Sequence, residues 1–244
     1  MKEVPPAKTT ELEAVMRGLE RESTHKLVLL YSGGADSTAA GLMLLEEGFS
    51  VYPIFFDYGQ TARDAERYLA VTAVPSLGFQ DTKIVSTDLL TELSQSNLLG
   101  GEAKNDTTAW VPARNTLFMI AAGIYAHQID ADGIAIGYMR SDQGVFGDSS
   151  FVHHKMTETL LAQTLSRPMD VHLPLAQMSK MDVLRYLHNQ DFLELTVSCW
   201  NAQLENDVIR TCHECANCLE REENLRSILY EYKEQPPQQF SDLA

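Results

Sequence analysis

The sequence predicts an α/β fold, an open parallel sheet with helices on both faces, followed by a cysteine-bearing segment. Three observations predict it. Residues 27–31 are an apolar run without polar alternation, as in a parallel strand covered on both faces. Such runs alternate with helical patterns as far as His188, as in repeated β-loop-α units. All four cysteines then fall between Cys199 and Cys218.

The first strand enters a turn of Ser32, Gly33, Gly34, Ala35, Asp36 and Ser37 without a spacer, and residues 39–45 continue as a helix. Adjacent glycines let the backbone approach a ligand and take positive φ, while free N–H groups at a helix start favour an anion. Asp36 offers a carboxylate that could hold a metal or cap the helix, and Ser37 offers a hydroxyl. The turn is neither Gly-x-x-x-x-Gly-Lys-Ser/Thr nor Gly-x-Gly-x-x-Gly. A plain turn capped by Asp36 is the competing reading.

Before it, residues 1–25 read as a loose arm with Pro5 and Pro6 and an amphipathic helix on which Leu12, Val15, Met16 and Leu19 share a face. That helix would pack on its own domain or form a dimer contact. After it, Gly48 ends the first helix and residues 50–56 form a second strand, with Pro53 where no ladder donor is needed. Asp57, Tyr58, Gly59 and Gln60 follow at that strand's carboxyl end, where open parallel sheets place their ligand crevice. Residues 63–77 are helical, with Ala65, Leu69, Ala73 and Leu77 on one stripe, and residues 83–86 are a short third strand. Residues 89–108 are polar and weakly patterned, as in a lid.

An alanine-rich helix over residues 116–128 leads to a buried strand over 133–137. Arg114 and Asn115 stand at its start, where Asn115 could serve only as the cap. An arginine added to a dipole end that already attracts anions points to an anionic ligand. Residues 138–150 are a second strand-end loop containing Asp142 and Asp148. A helix over 151–166, a short strand over 171–175 and a helix that Ser179 caps, with Lys180 in its first turn, complete the pattern.

With 244 residues, 44% of them hydrophobic, the chain fits one large domain over residues 26–195, a cysteine-bearing helical segment over 196–232 and a flexible tail over 233–244. A net charge of −15 and a pI near 4.8 exclude a surface that wraps nucleic acid, which needs clustered Lys and Arg. Residues 1–25 lack an apolar signal core, and no apolar run spans a membrane, so a soluble, cytoplasmic protein is expected.

The spacing Cys199-x12-Cys212-x2-Cys215-x2-Cys218 reads as a metal site. Four soft thiolates with no open position favour tetrahedral, structural Zn2+, and a disulfide framework does not suit a reducing cytosol. An iron–sulfur cluster competes, since Cys212, Cys215 and Cys218 keep the x2-x2 part of a cluster-binding run without its Cys-Pro ending. His213, His153 and His154 read as exposed or capping residues.

The Ser-Gly-Gly-x-Asp-Ser turn resembles the signature of the ATP pyrophosphatase (PP-loop) superfamily, which implies a Rossmann-like, adenine nucleotide alpha hydrolase-like fold. Taken with residues 57–60, 111–115, 179–180 and 196–218, the chain resembles the 7-cyano-7-deazaguanine synthases of queuosine biosynthesis over about residues 26–225. The resemblance implies an ATP-dependent enzyme that adenylates 7-carboxy-7-deazaguanine, converts it with ammonia to the amide and dehydrates that to the nitrile. By the same resemblance Tyr31, Ser32, Gly33, Gly34, Ala35, Asp36 and Ser37 would hold ATP phosphates and Mg2+. Asp57, Tyr58, Gly59, Gln60 and Arg114 would border the nucleotide and the carboxylate, Lys180 would neutralise phosphate, and the four cysteines would bind zinc. A homodimer is also implied.

Three departures bear on this. The family's Tyr-Pro-Asp-Cys-Arg run is here Phe146-Gly147-Asp148-Ser149-Ser150, which keeps a carboxylate for the guanine-like edge and loses the proline and arginine. Thr61 and Ala62 replace basic residues after Gln60, and Cys-Gly-x-Cys becomes Cys212-His213-Glu214-Cys215. Ordinary nitrile synthesis ranks above a paralogue that stops at the amide or joins the acyl group to another amine, such as a partner protein's N-terminus. A non-catalytic nucleotide-binding subunit is a further alternative, which intact Asp36, Ser37, Arg114 and Lys180 oppose. Thiolation of tRNA would need a basic surface, and amide synthases usually carry or recruit a glutaminase.

Overall fold

The computed structural model describes residues 25–142 and 146–234; the expected N-terminal helix and the residues past 234 lie outside the described residues. Strands β1 (Lys26–Leu30), β2 (Ser50–Asp57), β3 (Lys83–Ser86), β4 (Gly133–Ala135) and β5 (Asp170–His172) form one parallel sheet in the order β3-β2-β1-β4-β5. The helices in chain order are α1 (Ala35–Glu46), α2 (Arg63–Thr72), α3 (Val74–Leu77), α4 (Leu89–Leu93), α5 (Asp106–Ala109), α6 (Arg114–Gln128), α7 (Phe151–Thr164), α8 (Lys180–Asn189) and α9 (Ala216–Glu234). The strand order turns back between β1 and β4, so the loops after these two strands part and leave a crevice at their carboxyl ends.

Alternation along β1 sorts the two faces. Leu27, Leu29 and Tyr31 pack with α1, α3, α8 and α9, whereas Val28 packs with α6 and α7. Burial on both faces explains why the strand shows no polar alternation. Gly123 of α6 lets α7 approach, because a Cβ there would stand 2.5 Å from Leu161. Ser50 and Ile54 bond to the β1 side, so Pro53 turns its missing donor toward β3, whose ladder begins only at Ile54 opposite Lys83.

Three expectations change. The single helix over 63–77 is broken at Ala73, because Pro75 lacks a donor and starts a new short turn, yet its stripe of Ala65, Leu69, Ala73 and Leu77 stays buried. The weakly patterned stretch 89–108 is a wall pinned at several points. Thr61 bonds to Leu98 and Gly101, and Asn201 exchanges two bonds with Ala103. The cysteine-bearing segment is not wholly helical: β6 (Gln203–Glu205) and β7 (Val208–Arg210) form a hairpin whose turn residues Asn206 and Asp207 both have positive φ. Asn and Asp tolerate that conformation, but Asn-Asp is a weaker hairpin signal than Asn-Gly.

Candidate active site

Three helix starts converge on a cavity of about 320 Å3, lined by Gly34 to Ser37 at α1, Arg114 and Asn115 at α6, and Lys180 at α8. The turn after β1 is held by its own hydroxyls. Ser37 Oγ accepts the Ser32 N–H at 3.3 Å, and Ser32 Oγ accepts the Gly34 N–H at 3.3 Å. Gly33 has φ +72°, and a Cβ there would meet Leu69 Cβ at 3.0 Å and the Glu66 carbonyl at 3.1 Å, so both conformation and space require glycine. Its carbonyl accepts the Val197 N–H at 3.0 Å.

Arg114 and Lys180 are each the first residue of their helix, where the dipole disfavours a cation. Lys180 is compensated by Asp36, whose carboxylate oxygens accept from Nζ at 2.7 and 2.8 Å. Arg114 donates to the Tyr58 hydroxyl and to Asn115 Oδ1, both at 3.3 Å. Burial pushes the Tyr58 hydroxyl up from its ordinary value and pushes Tyr31 up to about 12.

The loop after β2 divides. Tyr58 and Gln60 line the cavity, but the Gln60 amide is committed to bracing: its Oε1 accepts the Tyr58 N–H at 2.9 Å and its Nε2 donates to the Phe56 carbonyl and Glu66. Asp57 and Gly59 line neither this cavity nor the next. Strand alternation turns Asp57 toward Arg67, and Gly59 packs on Thr91. Glu66 is a lining residue that sequence reasoning missed. Burial pushes its carboxyl up, opposed by the Gln60 hydrogen bond and the Arg114 charge. Nothing in its helical pattern marks it.

A second cavity of about 220 Å3 adjoins the first and shares Arg114, Asn115, Tyr138, Asp142 and Trp200 with it. Its other walls include Trp110, Phe146 and Asp148, with the two rings stacked at 7° and 6.0 Å between centroids. Asn115 does not cap α6, since Ala113 holds that position at φ +56°; instead the Asn115 N–H donates to Asp148 Oδ2 at 3.2 Å and its amide donates to Tyr138. Burial pushes the Asp142 carboxyl up, and likewise Glu220. His154 is buried with neither ring nitrogen hydrogen-bonded among the described residues, unlike the exposed or capping residue expected, because α7 turns it inward against Tyr138.

The four cysteine sulfurs lie within 4.8 Å of one another, and Cys212 Sγ stands 3.5 Å from Cys199 and 3.9 Å from Cys218. Tetrahedral zinc with sulfurs at ~2.3 Å would separate them by ~3.8 Å, so the cluster could hold such an ion. Burial pushes Cys199 up to about 11; in Cys212 the backbone N–H groups of Glu214 and Cys215 outweigh burial and hold the thiol down to about 6. His213 is exposed and pairs with Glu222 at 2.6 Å, apart from the thiols. The segment carrying the cysteines also supplies Val197, Ser198, Trp200 and Asn217 to the first cavity.

A parallel sheet whose first strand runs through Ser32-Gly33-Gly34-Ala35-Asp36-Ser37 into a helix defines a PP-loop protein. Residues 26–229 match the model of the family described as Queuosine biosynthesis protein QueC, and the chain belongs to that family. Membership supports an ATP-using enzyme. The structure is similar to that of the U34-tRNA thiolase NcsA from Methanococcus maripaludis, at 17% identity over 94% of this chain and 76% of that one, with a TM-score of 0.48. It is also similar to a 4-thiouridine synthetase, at 18% identity over 86% and 53% with a TM-score of 0.47. NMN synthetase from Francisella tularensis is similar at 14% identity over 96% and 95%, with a TM-score of 0.45. Among the described residues no helix is long and apolar enough to cross a membrane.

Proposed function

We propose that the chain is an ATP-dependent carbon–nitrogen ligase that converts 7-carboxy-7-deazaguanine and ammonia to 7-cyano-7-deazaguanine. The observation that carries this reading is the set of helix starts around the first cavity, two of them bearing a cation, beside the Asp36 carboxylate. ATP phosphates would sit on the N–H groups of residues 33–37, with Lys180 turning from Asp36 to a phosphate oxygen. Asp36, so released, would hold Mg2+. The substrate carboxylate oxygen would attack the α-phosphorus as the bond to pyrophosphate breaks. Ammonia then attacks the acyl carbon, AMP leaves and one proton is lost. A second ATP would adenylate the amide oxygen with release of pyrophosphate, and loss of AMP and of both nitrogen-bound protons would then leave the nitrile. No protein nucleophile is required, so the residues act by position and charge.

Zinc at Cys199, Cys212, Cys215 and Cys218 would be structural, since four thiolates leave no position open for a substrate. A homodimer and a soluble, cytoplasmic protein with no direct hold on nucleic acid belong to the same reading. The test is incubation with ATP, Mg2+, ammonium and 7-carboxy-7-deazaguanine, with products read by mass spectrometry; ATP consumption independent of the carboxylate would sink the reading. A product that stops at the amide or is joined to another amine is the second reading, favoured by the loop around Asp148, which lines the second cavity without the family's arginine. With ammonium as sole amine, clean nitrile at full turnover removes it, and amide accumulating despite excess ATP supports it.

A further inference from the structure

We propose that residues 11–22, which precede the described chain, dock by their apolar stripe into the groove between α6 and α7 and cover it. The two helices lie side by side: Thr116 Oγ1 and His153 Nε2 are hydrogen-bonded at 2.9 Å, and Gly123 lets Leu161 in against α6. Helical periodicity then brings Ile120 and Ile124 of α6 alongside Val152, Met156 and Leu160 of α7, which recur every fourth residue beside the row that touches α6. Ile120 is partly buried, but Ile124, Val152, Met156 and Leu160 are between 46% and 67% exposed. Large apolar side chains set together in this way mark a contact surface, where a scattered one would not.

The point at which the chain enters the fold decides what covers this groove. His25 Nδ1 lies 3.4 Å from Asp132, and Lys26 Nζ donates to the Ile129 carbonyl just past the end of α6, so the segment arrives at the foot of the groove. From Ile129 back up to Ile124 is about 8 Å, at ~1.5 Å per residue. Residues 20–24 span at most ~17 Å when extended, enough to round one helix of about 10–12 Å diameter. In residues 11–22, Leu12, Val15, Met16 and Leu19 have the i, i+3, i+4, i+7 spacing of one helix face. That stripe would be about 10 Å long and the row from Val152 to Leu160 is about 12 Å, so the two match in length. A second copy fits less well: a standard interface takes about 20–30 residues a side, and this groove offers one row from each of two helices. The family match begins at residue 26, so the segment lies outside the matched domain.

The experiment is limited trypsin digestion of the full chain, which cuts the segment after Arg17 and Arg21. Met156→Glu puts a charge into the groove at an exposed side chain, so the domain keeps its fold, and cleavage at both arginines should run about tenfold or more faster than in wild type. Leu12→Ser, on the other side of the contact, should speed it likewise without touching the domain. A wild-type rate in either variant overturns the proposal. Independently, benzoylphenylalanine placed at position 156 and illuminated in an equal mixture of 15N-labelled and unlabelled chains should join to residues 11–22 of its own chain. Mixed-label products would mean that a second copy covers the groove, and no joint to residues 11–22 would mean that the segment lies elsewhere; either overturns it.

Discussion

Lys180 on α8 and Asp36 on α1 form a two-pronged ion pair, Nζ to Oδ1 at 2.7 Å and to Oδ2 at 2.8 Å, across 144 positions of sequence. Lys180 is 12% exposed and Asp36 33%, so the pair is shielded enough to matter to folding as well as to phosphate. Lys180→Met should cost roughly 2 kcal/mol in urea unfolding, the worth of a charge-assisted bond left half-made. It should also lower carboxylate-dependent ATP turnover by ~10²-fold or more, if the ammonium neutralises charge in the transition state. Full stability with lost turnover would mean that the pair is purely catalytic; the reverse would remove Lys180 from the chemistry.

The cysteine cluster and the phosphate turn are coupled through Val197, whose N–H donates to Gly33, and through Trp200, next to Cys199 and part of both cavity walls. Metal binding should therefore supply folding free energy to a wall of the active site. Cys215→Ser, or chelation, should lower Tm and solubility and with them substrate affinity. Metal analysis should find one zinc per chain. Iron with visible absorbance, or a metal-free chain that stays folded and active, would refute this.

Much of this was legible in the sequence. The turn at Ser32 to Ser37, the cap at Ser179 and the four cysteines are local chemistry, and spacing alone placed each on its element. What escaped needed the third dimension. Gln60 lies at the strand end as expected, yet its amide is taken up by Tyr58, Phe56 and Glu66, which no spacing rule exposes. Asp57 stands one residue after Phe56, which lines the cavity, and faces Arg67, because a shift of one position along a strand reverses the face. Glu66 joined the site through the turn of α2, and Asn206-Asp207 hid a hairpin inside a segment read as helical.

Ala113 holds φ +56° at the cap of α6, directly before Arg114. A Cβ in the left-handed region costs roughly 1–2 kcal/mol, of which glycine's extra chain entropy takes back roughly 0.5–1. Ala113→Gly should therefore stabilise by about 0.5–1 kcal/mol, a rise in Tm of about 1–4 °C for a chain of this size. Ala113→Val should move Tm the other way. A lower Tm for the glycine variant would show that the turn is not strained.

Gly137 tests the crevice itself. A Cβ there would stand 2.9 Å from the backbone of Asp36 and 3.0 Å from the Ser37 N–H, so any side chain pushes the loop after β4 against the phosphate turn. Gly137→Ala should weaken ATP binding by about tenfold or more, since displacement of the turn misaligns the donors that would hold phosphate. The melting temperature should fall less than in Gly133→Ala, whose Cβ would meet the Asp170 carbonyl at 2.3 Å within the sheet. Equal ATP affinity in Gly137→Ala and wild type would separate the turn from the nucleotide.

His154 gives the fold a dependence on pH. Its ring is buried against Tyr138, and burial, with help from the neighbouring His153 and against the pull of Asp148, holds its pKa down at about 4 from an ordinary 6.5. The unfolded chain thus binds a proton between these values that the folded chain refuses, so stability is whole above pH 6.5 and declines as pH falls toward 4. From pH 7 to pH 5 the loss should be about 2 kcal/mol at 1.36 kcal/mol per unit. His154→Phe keeps a ring on Tyr138 and carries no proton. Urea unfolding of both proteins across that range should show the wild-type midpoint falling toward acid more steeply than the variant's, and parallel curves would place the acid sensitivity in other groups.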